Sequence, residues 1–299
     1  LAQQDYLQAS VDDNRGGAYG ALAHIALGLA TVAGSFDDDL QQLNNREDTA
    51  DFSLPVLMML LYRFADSPGL DPALREQIER EVIRFKFWPD ELEDVPGTTD
   101  ALEMVTWTEN PYILFSSGAY LACQLYPDTV FPASGRTGSE QMAVFRPRIL
   151  KWLELRVLTG FSEWLSNVYY NEDMPALLAL INLAEDEEIV EKSKIVLDLM
   201  FADLALNSFR GYFTSTHGRT YTHKMDAGRD STRGAVNLAF GLHEKNTGNM
   251  TATMMAVSKK YRVPEILHRI ANDTDMILEN RQRMGIKLEE AEQWGLSLD

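Results

Sequence analysis

The segment from residue 213 to residue 226 combines proton donors, proton acceptors and fixed cations more densely than any other part of the chain. Its ionisable side chains are His217, Arg219, Tyr221, His223, Lys224 and Asp226. Gly218 lies among them and permits a tight or left-handed backbone turn. Because catalytic and binding groups concentrate on loops that a rigid scaffold carries, this segment is the first candidate site.

His217 and Tyr221 lie four residues apart, and an imidazole together with a phenol suits general acid–base catalysis. Arg219 lies between them and can hold a substrate carboxylate through two parallel hydrogen bonds. One alternative is a metal site with His217 or His223 and Asp226 as ligands, although the spacing matches no strong zinc signature. Another is a structural histidine that caps a helix or bonds to a backbone carbonyl.

A second candidate segment spans residues 107–112, with the sequence Trp-Thr-Glu-Asn-Pro-Tyr. Trp107 can stack on a sugar ring, while Glu109 and Asn110 present a carboxylate and an amide. The structural alternative is that Thr108 caps the following helix and Glu109 complements its dipole. Both interpretations stay open at this point.

A third candidate segment, residues 161–170, alternates aromatic rings with Glu163 and Asn167. In a helical continuation these two polar residues would share a face, since they are four apart. Sugars expose apolar C–H faces between rings of hydroxyls, so aromatics beside amides and carboxylates are typical of a carbohydrate site. The alternative is a core helix whose rings, including Trp164 and Tyr170, pack inward.

The overall charge excludes several classes of partner. Lys and Arg total 27 against 45 Asp and Glu, which gives a formal net charge of −18. Such a chain repels nucleic-acid phosphates and anionic lipid surfaces, so we expect neither a nucleic-acid nor a membrane partner. An anionic sugar fits only where cations converge, as Arg219, Lys224, Arg229 and Arg233 could. The single cysteine, Cys123, permits no intramolecular disulfide and reads as a buried structural thiol.

Helical periodicity dominates the elements that must position these residues, and alternating strand-like patterns are scarce. Ser53, Asp71 and Asp173 each stand one or two residues before a proline and predict helix starts. The predicted helices are residues 18–33, 54–65, 72–87, 112–125, 139–158, 175–184, 188–207, 233–242, 251–259 and 264–271. No linker rich in Pro, Gly or Ser divides the chain, so we expect one all-α domain over residues 1–299.

The connections alternate between short charged ones and long ones that are aromatic and polar. If successive helices form antiparallel hairpins, every second connection returns to the same end, and the three candidate segments gather there. That is the architecture of an α/α toroid, a ring of helical hairpins with a cleft at one end. A plain α-solenoid and an irregular bundle stay open. A full toroid often needs more chain than this, so we expect the protein to continue beyond Asp299.

His217-Gly218-x-x-Tyr221 resembles the His-Gly-x-x-Tyr element of heparinase-II-like and related alginate lyases, whose catalytic domain is an α/α toroid. The resemblance implies β-elimination across a uronate linkage, with His217 and Tyr221 as the acid–base pair. Those lyases usually carry Asn immediately before the His, where this chain has Thr216. Asn110 or Asn167 would then supply the amide that neutralises the carboxylate.

The leading hypothesis is therefore a carbohydrate-active enzyme that cleaves an anionic polysaccharide by β-elimination. Arg219 would act on the substrate carboxylate with one of the two amides. The further substrate-binding candidates are Trp107, Trp164, Tyr170, His223 and Lys224. One alternative is a glycoside hydrolase of the same scaffold with Glu109 and Glu163 as its carboxylate pair. The other is a non-catalytic helical module that binds a glycan or a protein.

The hypothesis requires no cofactor and no metal. A polysaccharide-degrading enzyme would be secreted or periplasmic, and the sequence carries no signal for an oligomeric state.

Overall fold

Helices form most of the backbone in the computed structural model, which describes residues 2–32, 34–91, 104–241, 246–282, 285 and 287–290. Within these ranges the fold is all-α, as predicted. The helices are α1 (Ala2–Asp12), α2 (Gly17–Ala26), α3 (Asp37–Asn45), α4 (Leu54–Arg63), α5 (Pro72–Arg84), α6 (Glu109–Leu125), α7 (Gly138–Thr159), α8 (Tyr170–Leu183), α9 (Glu187–Asn207), α10 (Arg233–Phe240), α11 (Met250–Val257) and α12 (Glu265–Asn272). Short 3₁₀ helices cover Ala50–Ser53, Thr222–Lys224, Ala227–Arg229 and Leu288–Glu290.

Two short antiparallel hairpins join some of these helices. The first pairs β1 (Val130–Phe131) with β2 (Arg136–Thr137) between α6 and α7. The second pairs β3 (Ser208–Phe209) with β4 (Tyr212–Phe213) directly after α9. The second hairpin leads straight into the segment that carries His217.

Helices α2, α4, α6, α8 and α11 contact one another in a closed order, in which each packs against the next and α11 packs back against α2. Helix α4 also packs directly against α8. Helix α1 contacts α2 and α11, α7 contacts α6 and α9, and α9 contacts α8 and α12. This order of neighbours is compatible with a ring of helical hairpins, and the toroid itself remains a prediction.

Burial differs between the helices in the way that this packing requires. Every residue of α8 is buried, and almost all of α6 and α4 is buried as well. Helix α9 buries only one face. The buried residues of α9 are Ile189, Ser193, Val196, Leu197, Met200, Phe201, Leu204 and Ala205. One continuous apolar cluster runs from Tyr6 to Ala271, so the described helices share a core.

Two helix starts show how local sequence sets the boundaries. The Asp71 carboxylate caps α5 by accepting from the backbone N–H groups of Ala73 at 2.8 Å and Leu74 at 3.3 Å, which confirms that predicted cap. Helix α7 begins with a capping box, in which Thr137 and Glu140 satisfy each other's backbone N–H groups.

The start of α8 differs from the prediction, which placed it after an Asp173 cap. The helix already begins at Tyr170, and Asp173 lies inside it with no exposed surface. Pro175 has no backbone N–H, so the Asn171 carbonyl loses its helical partner. The Thr251 hydroxyl donates to that carbonyl at 3.0 Å and replaces the missing bond. A tertiary contact therefore allows a proline inside the helix.

Other observed helix boundaries also differ from the predicted ones. The predicted helix 18–33 ends at Ala26, because Gly28 follows with a left-handed φ of 74°. Helix α10 ends at Phe240, because Gly241 follows with a left-handed φ of 72°. Helices α1 and α3 were not predicted. The predicted helix ends at residues 33 and 242, and the segment 291–299 with the expected continuation, lie outside the described residues.

Within the described ranges, no helix combines the length and apolar character that crossing a bilayer requires.

Candidate functional site

Residues from all three candidate segments line one cavity at the starts of α6 and α8. We call residues 104–108 the first loop, residues 162–169 the second loop and residues 214–221 the third loop. The first loop leads into α6 and the second loop leads into α8. The cavity, here called the main cavity, has a volume of about 430 Å³. Its lining residues are Asp48, Thr49, Phe52, Val105, Thr108, Asn110, Pro111, Glu163, Val168, Tyr169, Glu172, Arg219 and Tyr221.

The third loop is fastened to the second loop by hydrogen bonds that involve the backbone. The N–H of Gly218 donates to the Trp164 carbonyl at 2.9 Å. The Ser166 hydroxyl donates to the Arg219 carbonyl at 2.8 Å. A Cβ at position 218 would lie 3.1 Å from the Trp164 carbonyl oxygen, which is tighter than most Cβ contacts. Glycine at this position therefore permits the close approach that places Arg219.

His217 forms a third link between the two loops. Its Nδ1 lies 2.7 Å from the Leu165 carbonyl oxygen, and its ring meets the Phe213 ring edge-on with 4.9 Å between centroids. Leu165 has a left-handed φ of 47°, a backbone conformation that costs free energy and recurs at functional sites. His217 is not among the residues that line the main cavity. The geometry therefore gives His217 a positioning contact, the structural alternative considered for it.

Asn110, Glu163 and Arg219 form a polar network in the wall of the main cavity. The Asn110 amide donates to Glu163 Oε2 at 2.7 Å, and Arg219 Nε lies 3.8 Å from Glu163 Oε1. Burial raises the pKa of the Glu163 carboxyl, and the Asn110 hydrogen bond and the Arg219 charge oppose that rise. The predicted amide and the predicted cation thus meet at one carboxyl group.

Tyr169 and Tyr221 bring their hydroxyls into direct contact. Arg219 Nη2 donates to the Tyr169 oxygen at 3.3 Å and to the Tyr221 oxygen at 3.2 Å. The guanidinium also lies over both rings, 5.3 Å and 5.0 Å from their centroids. Partial burial, followed by the contact with Tyr221, raises the pKa of Tyr169 to about 12, and Arg219 opposes this rise. The two hydroxyls and the guanidinium therefore form one cluster in the wall of the main cavity.

Glu172 lines the main cavity although the sequence did not identify it. Only 8% of the residue is exposed, and its Oε2 has no hydrogen-bond partner within the described part of the chain. Burial raises the pKa of Glu172 to about 7. Asp51 and Asp173 are fully buried, with pKa values raised well above the ordinary range by burial first and by Glu172 among the nearby charges. The main cavity therefore adjoins buried acids whose raised pKa values favour the protonated form more than in ordinary carboxyl groups.

Glu109 lies on the other side of the α6 start. Its carboxylate forms an ion pair with Arg156 and accepts from the backbone N–H of Ser162 at 2.6 Å and from the Ser162 hydroxyl at 2.8 Å. Only 1% of its side chain is exposed. Glu109 lines a neighbouring cavity together with Trp107, whereas Glu163 lines the main cavity. The predicted carboxylate pair is therefore divided between two cavities, although the backbone N–H of Glu163 donates to Glu109 Oε1 at 3.3 Å.

Two of the predicted binding residues are too buried to meet a ligand. Tyr170 is completely buried, and its hydroxyl donates to Asp203 Oδ2 at 2.9 Å, so it offers no face for stacking. Asn167 is 1% exposed, and its amide donates to the Lys224 carbonyl at 2.7 Å. Tyr170 instead joins the start of α8 to α9, and Asn167 joins the second loop to Lys224.

The other predicted binding residues lie around the main cavity rather than in its wall. Trp164 is half-buried, and its indole N–H donates to Gln282 at 2.6 Å. His223 is exposed and stacks on Tyr221 with 5.7 Å between ring centroids. Lys224 is half-buried and lines a separate polar pocket together with Asp230.

The metal alternative finds no support in the geometry. Across the described ranges, no three His, Cys, Asp or Glu side chains are grouped so that they could hold a metal ion.

Sequence and structure comparisons add no relative. Neither protein-family models, nor curated proteins, nor solved structures give a match. The resemblance to lyases at His217 to Tyr221 therefore stays an expectation, and the case for a function depends on the geometry of the main cavity.

Proposed function

We propose that this protein is a carbohydrate-active enzyme of the α/α-toroid type that cleaves a uronate-containing polysaccharide by β-elimination. The observation that carries the proposal is the contact of Arg219 with the hydroxyls of both Tyr169 and Tyr221 in the main cavity. Elimination needs a base for the proton beside the uronate carboxylate and an acid for the leaving oxygen. A hydroxyl pair beside a fixed cation suits both tasks.

The reaction assigns one role to each hydroxyl. Tyr221, acting in its deprotonated form, removes the proton from C5 of the uronate. The C5–H electrons form the C4=C5 double bond, and the C4–O bond breaks. Tyr169 keeps its proton, because its pKa is raised to about 12, and gives it to the leaving oxygen. Proton exchange across the hydroxyl contact then restores the starting state.

The substrate carboxylate must be partly neutralised before C5 becomes acidic enough to lose a proton. Arg219 supplies the cation, and Asn110 supplies amide hydrogen bonding at the same wall. Burial raises the pKa values of Glu163 and Glu172, so these carboxyl groups carry less negative charge near neutral pH than ordinary glutamates. This reduces the repulsion that an anionic sugar would meet in a chain of net charge −18.

The test is a screen of acidic polysaccharides for the ultraviolet absorbance of an unsaturated uronate. We expect Tyr221→Phe to lower the rate by a factor of about 100 or more, in the range of general acid–base contributions. The matched control is Tyr212→Phe. Tyr212 is 37% exposed against 38% for Tyr221 but lies outside the main cavity. If no acidic polysaccharide yields the chromophore, elimination is wrong, and binding without cleavage would favour a glycan-binding module.

A second candidate, glycoside hydrolysis, is favoured by a different observation. Glu163 and Glu172 line the same cavity, and both have raised pKa values. Glu172 would be the acid, and Glu163, held by Asn110 and Arg219, the base or nucleophile. An inverting pair stands roughly 6.5–9.5 Å apart and a retaining pair about 5–5.5 Å. New reducing ends without the unsaturated chromophore, lost in Glu172→Gln, would favour hydrolysis over elimination.

A further inference from the structure

A second cavity adjoins the main cavity across the start of α6. Its volume is about 310 Å³, and Thr108 lines both cavities. Two pairs of consecutive residues separate the cavities, and the two members of each pair line different cavities. Glu109 and Ser162 face the second cavity, whereas Asn110 and Glu163 face the main cavity. Thr108 is exposed, so the two cavities share a rim at the surface.

Aromatic side chains dominate the mouth and wall of the second cavity. Trp107 is 75% exposed, which is unusual for a residue with so large an apolar surface. Trp152 and Tyr112 form part of the wall. The Arg156 guanidinium lies 5.2 Å from the Trp152 ring centroid, which holds that ring in place. An exposed indole at the rim of a cavity provides a flat surface for the C–H face of a sugar ring.

The balance of charge in the second cavity differs from that in the main cavity. The charged residues of the second cavity are Lys151, Arg156 and Glu109, and Glu109 and Arg156 neutralise each other. Lys151 adds a positive charge, which it shares with Glu154 at 3.7 Å. The main cavity instead contains three acidic residues, namely Asp48, Glu163 and Glu172, and one cation, Arg219. The lining of the second cavity is therefore less acidic than that of the main cavity and repels an anionic ligand less.

We propose that the second cavity is the subsite for the next unit of an acidic sugar chain whose reacting unit occupies the main cavity. Trp107 stacks on that unit, and Lys151 attracts its carboxylate. The chain crosses the shared rim at Thr108. This inference rests on the proposed function, and it adds that the enzyme requires an acidic unit on each side of the rim and acts on chains rather than on single sugars.

The test measures how affinity depends on chain length. Homo-oligouronates of two to five units are titrated calorimetrically against the full chain, and the gain in affinity with length is compared between variants. For the wild type we expect a gain of about tenfold or more, in the range of one aromatic stacking contact. Trp107→Ala should abolish most of that gain. Lys151→Ala should reduce it by a smaller factor and weaken its dependence on salt concentration.

Two matched controls separate this effect from general surface changes. Phe209→Ala removes a 52% exposed aromatic ring far along the chain, and Lys259→Ala removes an exposed cation; both residues lie outside the two cavities. Both should keep the wild-type length dependence. If Trp107→Ala also keeps it while the wild type binds oligouronates, the subsite is wrong and the proposed function stands. If the wild type neither binds nor cleaves any oligouronate, both proposals fall together.

Discussion

The two cavities on either side of the α6 start each contain glutamate and arginine, but the glutamate is closely paired in the second cavity and loosely paired in the main cavity. In the second cavity, the Glu109 carboxylate has a buried arginine and three hydrogen-bond donors. In the main cavity, the Arg219 side chain is 47% exposed. Its contact with Glu163 is long, with 3.8 Å between Nε and Oε1. Glu172 has no ion-pair partner within the described ranges. A carboxylate that is fully paired supports the fold, whereas one that is buried and incompletely paired is available for chemistry.

The physical basis of the difference is the cost of burying charge. A carboxylate that leaves water must be paired and hydrogen-bonded, or it takes up a proton. Glu109 is paired and hydrogen-bonded, whereas the pKa of Glu172 is raised to about 7, which favours its protonated form. Each of the following predictions either breaks one side of this contrast or makes it sharper.

The largest effect should come from removing the buried arginine. Arg156→Ala leaves Glu109 buried without its cation, so we expect the free energy of unfolding at pH 7 to fall by about 3–5 kcal/mol. Arg219→Ala is the control, because its ion pair is exposed and should change stability by less than about 1 kcal/mol. Urea denaturation followed by circular dichroism measures both. Equal losses in the two variants would contradict the contrast between the cavities.

The next effect is a pH dependence caused by Glu172. Its pKa is higher in the folded chain than in the unfolded chain, so its protonated form stabilises the fold at low pH. That contribution is lost as the pH rises from the ordinary glutamate range to about 7. The loss amounts to about 3 kcal/mol.

Glu172→Gln removes this dependence. Near pH 4 the variant should match the wild type, and above pH 7 it should be more stable by up to about 3 kcal/mol. Asp230 and Glu91 also have raised pKa values, but they are present in both proteins and cancel in the comparison. Unfolding curves at a series of pH values check this, and a constant difference between the two proteins would show that folding does not shift the pKa of Glu172.

A smaller effect concerns a single donor to Glu109. Ser162→Ala removes the hydroxyl that donates to Oε2 at 2.8 Å and leaves the backbone N–H bond in place. We expect a loss of about 1 kcal/mol in the free energy of unfolding. In Ser139→Ala, the control, the lost hydroxyl donates to a neutral carbonyl at 3.2 Å on an exposed surface. A larger loss in the control would mean that the charge of Glu109 does not strengthen its hydrogen bonds.

The subtlest effect is a change in the acidity of Glu163. The Asn110 hydrogen bond lowers the pKa of this carboxyl against the rise that burial causes. Asn110→Ala should therefore move the pKa of Glu163 further upward, which a carbon-detected NMR titration of the carboxyl group measures. Asn45→Ala serves as the control, since Asn45 donates to Glu47 instead. A pKa that stays constant or falls would remove Asn110 from the electrostatics of the main cavity.

The all-α class and most of the helices could be predicted, because helical periodicity and capping residues act locally. Asp71 shows this, since its cap depends only on the next three residues. Helices α1 and α3 escaped prediction because each buries only two or three residues. Helix α3 begins with three aspartates and buries only Leu40 and Leu43. Their stability depends on packing against neighbours, which no local pattern reveals.

The candidate site was predictable in its segments and less so in its residues. Loops rich in ionisable, amide and aromatic side chains identified four residues that line the main cavity, namely Arg219, Tyr221, Asn110 and Glu163. Glu172 was missed because the predicted helix began at residue 175 and the candidate segment ended at Tyr170, so this acid was expected in neither. A signal was present, since Glu172 and Asp173 are the only charged residues of an otherwise uncharged helix.

The fastening of the third loop to the second loop has a consequence for motion. Gly218 lies in irregular structure, yet its N–H is bonded to the Trp164 carbonyl, so this amide should exchange with solvent deuterium far more slowly than its neighbours. Slow exchange would mean that the conformational entropy of the loop is lost during folding and not when a ligand arrives. Arg219 and Tyr221 would then already hold the same geometry before a ligand binds. The enthalpy of binding would reflect the new contacts alone and not the ordering of a loop.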